Sequence, residues 1–139
     1  MSYKPIIIVA GQPKSIFFEI FFKSLKFKKY KSPLILICSK KLCLNQMKKF
    51  KFQKKIRILE SINLEKYKLS NDKINLIDVK FNTKLKNKEN KSNFYITECF
   101  KVAFKILSNK SSNKLINGPI SKTKFLNKKY LGITEYISK

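Results

Sequence analysis

Histidine is missing altogether from the 139 residues. Its absence removes the commonest general base near neutral pH and every imidazole metal ligand. Any Ser-His-Asp or Cys-His mechanism within the chain goes with it. No GxGxxG or Walker loop is present either. Cys38, Cys43 and Cys99 are an odd set of cysteines with no CxxC pair. That excludes a disulfide framework or a zinc knuckle and predicts buried, idle thiols in a reducing cytoplasm. Long apolar runs are lacking too. Pro5–Ala10 stops at Gly11-Gln12-Pro13, and Glu19, Lys23 and Lys26 interrupt the aromatic-rich stretch from Ile16 to Phe27. Neither a signal peptide nor a membrane span of ~18 residues is read.

Arginine is nearly absent, which matters because positive charge is abundant. The net charge is +24 and the sequence pI about 10.1. Of the 32 basic residues, Arg57 is the single arginine. One reading of the charge is a polyanionic partner, nucleic acid or an anionic membrane. Arginine, however, supplies the bidentate contacts to phosphates and guanine edges. The other reading is compositional: Lys, Ile, Asn and Phe are encoded by A/T-rich codons, and a charge run is usually a solvated face. The expectation is no specific nucleic acid and no membrane partner. With 43% hydrophobic residues, the chain has material for one core in one domain of ordinary size.

Pro5–Ala10 is a β-branched apolar run, which predicts a strand buried on both faces, as in a parallel sheet. Ser15 is placed to cap a helix through about Phe27, with Ile16, Phe17, Ile20, Phe21, Ser24 and Leu25 on one face. Leu34–Cys38 predicts a second strand. Lys40–Phe50 predicts a helix with Leu42, Met47 and Phe50 inward. Ile56–Leu59 and Ile74–Val79 predict further strands, and the polar stretch from Lys80 to Lys91 a surface loop. Ser92–Leu107 is the clearest helix, with Tyr95, Cys99, Val102, Ala103, Ile106 and Leu107 on one side and Glu98 paired to Lys101 or Lys105. Leu115-Ile116 enters another buried strand, and Ser121 begins a short helix to about Leu126. The alternation predicts an α/β domain with a mainly parallel sheet.

In such sheets ligands bind beyond the carboxyl ends of the strands. Two loops fit, Gly11–Ser15 and Asn117–Lys122. The first reads as plain turn chemistry or as amides facing an anion. In the second, Gly118-Pro119 fixes a sharp exit, and Ser121 and Lys122 bring a hydroxyl and an ammonium to a helix start. That arrangement suits a phosphate or carboxylate, or is a simple N-cap beside one of many lysines. Gly132-Ile133-Thr134-Glu135-Tyr136 reads either as a phosphate-facing Thr or as another cap.

The order of these motifs resembles a known family. A strand followed by Gly11-x-Pro13-x-x-Ile16-x-x-Glu19 resembles the Gly-Asp/Glu-Pro-Ala-Gly-Ile-Gly-Pro-Glu opening of the 4-hydroxythreonine-4-phosphate dehydrogenases. The helix with Tyr95, Thr97 and Glu98 to Lys101 is similar to the one ahead of that family's central strand. Leu115 to Lys122 looks like its (L/I)-(V/I)-T-(G/A)-P-(I/V)-(N/S/H)-K segment, and Gly132 to Tyr136 like its G-H-T-E-(F/Y) segment. The resemblance implies NAD-dependent oxidation, with decarboxylation, of 4-phosphooxy-L-threonine in pyridoxal phosphate biosynthesis. It also implies a divalent metal ion. The implied fold is a three-layer α/β/α dehydrogenase like the isocitrate and isopropylmalate enzymes, with the active site between domains of a cytoplasmic homodimer.

On that resemblance Thr134 takes the place of a substrate-binding Thr, and Ile133 that of a substrate-binding His. Lys122 takes the place of the lysine after the Gly-Pro turn, in contact with the phosphorylated substrate. Lys14, Ser15 and Phe17 replace residues of the family's opening, glycines among them. Family members run to more than twice this length, with their three metal-binding histidines beyond the position of Lys139. Residues 1–139 are thus expected to be an incomplete fold, the N-terminal portion of a two-domain dehydrogenase, inactive alone. Ile133 leaves open a dehydrogenase of another phosphorylated four-carbon acid, and the charge leaves open a lysine-rich nucleic-acid binder.

Overall fold

A computed structural model of the chain describes residues 3–81 and 88–121. The expected helix beyond Ser121 and the Gly132–Tyr136 segment lie outside them. Strand β1 (Ile6–Val9), helix α1 (Phe17–Phe27), β2 (Leu34–Cys38), α2 (Lys40–Lys49), β3 (Ile56–Ile58), β4 (Ile74–Asp78), α3 (Lys88–Ser108) and β5 (Lys114–Asn117) follow in order. The five strands form one sheet in the order β3-β4-β2-β1-β5, and every pairing is parallel. The register sets Ile7 between Ile35 and Leu115, and Val9 between Ile37 and Asn117. The expected α/β class is therefore observed.

Successive strand residues point to opposite faces, so the sheet divides the core in two. Ile7, Val9, Ile35, Ile37 and Ile77 pack with Tyr95, Ile96, Cys99, Phe100, Ala103 and Ile106 of α3. Ile8, Ala10, Leu34, Leu36 and Leu76 pack with the phenylalanines of α1 and with Cys43 and Met47 of α2. Helices thus lie on both faces, giving the expected three layers. The β-branched runs of β1, β2 and β4 form strands because both faces of the sheet are dry there, while the edge strands β3 and β5 stay partly exposed.

The helix faces differ from expectation. Helix α1 buries Phe17, Phe18, Phe21 and Phe22, and leaves Ile16 and Ile20 in solvent. Apolar residues surround this helix, so periodicity alone does not choose the face. The phenyl rings win because they bury more area and meet aromatic partners: Phe22 stacks on Phe52 at 4.6 Å and meets the edge of Phe50 at 6.5 Å. In α2 the inward pair is Cys43 and Met47. Leu42 packs half-buried toward the α3 side, and Phe50 caps the helix end, partly exposed. Ser39 caps α2 directly after β2, which turns positions 43 and 47 onto the sheet.

Helix α3 begins at Lys88, inside the stretch expected to be a loop. No Gly or Pro interrupts that stretch, and apolar spacing reports only which residues reach a core, not how far a helix runs. Ile96 and Phe100 join the buried face of α3 beside the expected Tyr95, Cys99, Ala103 and Ile106. Glu98 pairs with Lys101 at 3.1 Å. Among the described residues, no helix is long and apolar enough to cross a membrane.

Candidate functional site

The chain leaves β1 through α1 toward β2 on one side, and returns through α3 to β5 on the other. The switch point of the sheet therefore lies between β1 and β5, where open parallel sheets place ligands at the carboxyl ends. The two loops singled out in the sequence both emerge there, after Val9 and after Asn117.

Backbone contacts lock these loops together. The Gly118 N–H donates to Val9 O at 2.7 Å, and the Gln12 N–H donates to Pro119 O at 2.9 Å. Gly11 adopts a left-handed φ of 84°, a region glycine enters without steric cost. A Cβ there would also lie 2.5 Å from Pro119 O. One on Gly118 would lie 2.0 Å from Ala10 O and 2.9 Å from the Phe17 ring. Both glycines exist at a place where two main chains touch. Pro119 fixes the outward turn and leaves its carbonyl to receive Gln12.

The first loop is thus a turn rather than an open phosphate cradle, since its Gln12 amide is already used inside the protein. Ser15 sits near the start of α1 as expected, and its Oγ accepts the Phe17 N–H at 3.3 Å. The helix proper starts one residue later, after Ile16. Asn117 is held by a bond from its Nδ2 to Gly118 O at 3.0 Å. Ser121, half-buried, is the last described residue on this side. Lys122, Ile133 and Thr134, the residues expected to meet substrate, lie outside the described residues. The described side chains at this edge, Gln12, Ser15, Asn117 and Ser121, are amides and hydroxyls, with no titrating acid–base pair among them.

A second arrangement at the carboxyl edge escaped the sequence reading. Asp78, last in β4, accepts the Lys40 N–H at the start of α2 at 2.8 Å, while Ser39 Oγ accepts the Leu42 N–H at 3.3 Å. A depression of about 680 Å³ opens beside them, lined in part by Lys41, Lys80 and Phe81. Two of the helix-start amides are already taken by a carboxylate and a hydroxyl of the protein itself. Ser39 ahead of a lysine-rich helix was the available signal; the contribution of Asp78 depends on strand order and has none.

Beneath this edge the Tyr95 hydroxyl accepts the Ser39 N–H at 2.7 Å. Burial drives the Tyr95 phenol far above its ordinary pKa, and the nearby Cys99 and Cys38 thiols add to the shift. Burial likewise pushes Cys99 up to about 12, and raises Cys38, which also bonds the Cys43 thiol. All three cysteines are free and buried. Thiols held protonated are poor nucleophiles and poor metal ligands. The described residues gather no set of three His, Cys, Asp or Glu able to hold a metal ion, so they do not fit a resident metal.

No family model and no curated protein matches the sequence. Solved structures do. A Salmonella typhimurium protein assigned as a 4-hydroxythreonine-4-phosphate dehydrogenase superposes over 98% of this chain with a TM-score of 0.80 at 20% identity. The 4-hydroxythreonine-4-phosphate dehydrogenases of Burkholderia phymatum and Klebsiella pneumoniae each superpose over 99% with a TM-score of 0.78, at 16% and 20% identity. The match spans 44% of the first of these chains and 43% of the other two. This chain therefore has the fold of a 4-hydroxythreonine-4-phosphate dehydrogenase over less than half of such a protein's length.

Proposed function

We propose that this chain is the N-terminal portion of a dehydrogenase of the 4-hydroxythreonine-4-phosphate dehydrogenase family. The whole protein would oxidise 4-phosphooxy-L-threonine with NAD, with decarboxylation, in pyridoxal phosphate biosynthesis. One observation carries the reading: the two family-like loops, far apart in sequence, meet at the switch point of a sheet with that fold. In this reading the Gly11 and Gly118 loops are the floor of the substrate site. Thr134 donates to the substrate, Lys122 supplies positive charge near its phosphate, and Ile133 takes the position where the family has a substrate-binding His.

A divalent metal ion would polarise the reacting oxygen, and its ligands are not among the described residues. The working form is a cytoplasmic homodimer, a reading that buried free thiols suit. Ile133 favours a second reading, in which the substrate is another phosphorylated four-carbon acid such as 4-phosphoerythronate.

The coding frame past Lys139 is read first, and its full product is assayed for NAD reduction with both substrates and a divalent metal ion. Reduction of NAD with phosphooxy-threonine, weakened by Thr134→Ala chiefly through KM, is the expected result. Preference for phosphoerythronate selects the second reading. A folded, metal-loaded product inactive on both substrates refutes the two together. The 139-residue chain by itself is expected to show no turnover.

A further inference from the structure

The depression at the ends of β2 and β4 stands apart from the switch point, on the far side of β1 from β5. Its volume of about 680 Å³ falls within the roughly 300–1,000 Å³ of small-molecule sites. Helix α2 lines it with Lys40, Lys41 and Leu42, and the end of β4 with Asp78, Lys80 and Phe81. The charge in it is carried by side chains and not by the helix start, two of whose amides are spent on Asp78 and Ser39.

The lining combines the three kinds of group that a nucleotide needs. Phe81 is half-buried and set edge-to-face against Tyr95, ring centroids 5.4 Å apart, while Tyr95 is itself held by the Ser39 N–H. An aromatic ring fixed in this way is a stacking platform for a base. Asp78 Oδ1 accepts the Lys40 N–H at 2.8 Å, and among the described residues no lysine pairs with its carboxylate. Its other oxygen is left to accept from a ribose diol, the contact that an acidic residue makes in dinucleotide-binding sheets. Three lysines against one carboxylate give the lining a net charge of +2, which matches the roughly two negative charges of a phosphate monoester at neutral pH.

We propose that this pocket binds a nucleoside monophosphate, with the base on Phe81, the ribose hydroxyls on Asp78 and the phosphate among Lys40, Lys41 and Lys80. Simple attraction to a chain of charge +24 takes any phosphate alike and fades as salt rises. The ring and the carboxylate are what separate a nucleotide from inorganic phosphate. The site stands independently of the dehydrogenase reading, and its ligand is a mononucleotide, not the NAD of that reading.

Calorimetric titration of the full product of the coding frame with adenosine 5′-monophosphate tests this, at about 0.15 M salt and with NAD present at saturation. Circular dichroism confirms that each variant folds. The nucleotide should bind more tightly than inorganic phosphate by about tenfold or more, the contribution of one stacked base. Phe81→Leu, which keeps an apolar side chain against Tyr95, should remove most of that advantage and leave phosphate binding unchanged. Asp78→Asn, which keeps an acceptor for the Lys40 N–H, should weaken the ribonucleotide severalfold and leave its 2′,3′-dideoxy analogue unaffected. Lys80→Glu should weaken nucleotide and phosphate together. A nucleotide bound no better than phosphate, or bound indifferently to Phe81→Leu and Asp78→Asn, overturns the proposal. So does a nucleotide that binds only when NAD is left out, since it then occupies the cofactor's place. None of these results touches the NAD reduction assay, which decides the enzymatic reading by itself.

Discussion

Replacing Gly118 by alanine adds a single methyl group where two main chains meet. That methyl would stand 2.0 Å from Ala10 O and 2.9 Å from the Phe17 ring. A flexible side chain could turn aside, but a strand carbonyl cannot, so β5 and its exit must move away from β1. Overpacking of this kind costs about 1–3 kcal/mol. The movement also breaks the Gly118–Val9 and Gln12–Pro119 bonds, each worth about 1 kcal/mol net. The sum is about 3–5 kcal/mol, a large part of the roughly 5–15 kcal/mol that holds a domain folded. Urea unfolding followed by far-ultraviolet circular dichroism measures it. With a slope of about 2 kcal/mol per molar, the midpoint should fall by roughly 2 M. Lys114→Ala, at an exposed position on the same strand, should stay within about 0.5 kcal/mol of the parent. A Gly118→Ala chain within 1 kcal/mol of the parent would refute the claim that the two loops are locked through their backbones.

Three further outcomes are expected. Tyr95→Phe removes the only oxygen on that side chain and leaves the buried Ser39 N–H without its acceptor, a loss of about 1–3 kcal/mol in the same urea assay. Phe22→Ala empties a buried site stacked on Phe52 and should destabilise by about 3–5 kcal/mol. Cys99, pushed up to about 12 from its ordinary 9.0 by burial, binds its proton more tightly folded than unfolded. Its contribution is therefore complete below pH 9 and is lost as pH rises from 9 toward 12. Urea midpoints at pH 8 and 10.5 should differ less in Cys99→Val than in the parent.

The inner strands β1, β2 and β4 were plain in the sequence because each is a short apolar run buried on both sides, whereas β5, expected to be buried, is an edge strand that leaves Ile116 53% exposed. Helix faces were less so. Ile16 and Ile20 suit a core as well by spacing as Phe18 and Phe22 do, and the buried face is the one whose Phe22 meets Phe50 and Phe52, which reach α1 only after the chain has folded. The same holds for Asp78. Nothing local distinguishes a strand-ending aspartate from a surface one, and its bond to Lys40 follows from β4 pairing with β2. The loops at the switch point were legible as turns. Their mutual contact was not, because Gly11 and Gly118 are over a hundred residues apart and meet only through the β1–β5 pairing.

The Gly11–Gly118 contact also sets a limit on how far this composition can drift. Glycine codons begin with two guanines, so pressure toward A and T erodes glycine while enriching lysine, and the chain holds three glycines against 32 basic residues. On the surface that exchange is nearly free, since a solvated lysine disturbs little. At Gly118 every missense change of the first two codon positions installs a side chain on the Ala10 carbonyl. Mutational tolerance in this protein is therefore sharply uneven: wide wherever side chains meet water, and almost nil where one backbone rests on another.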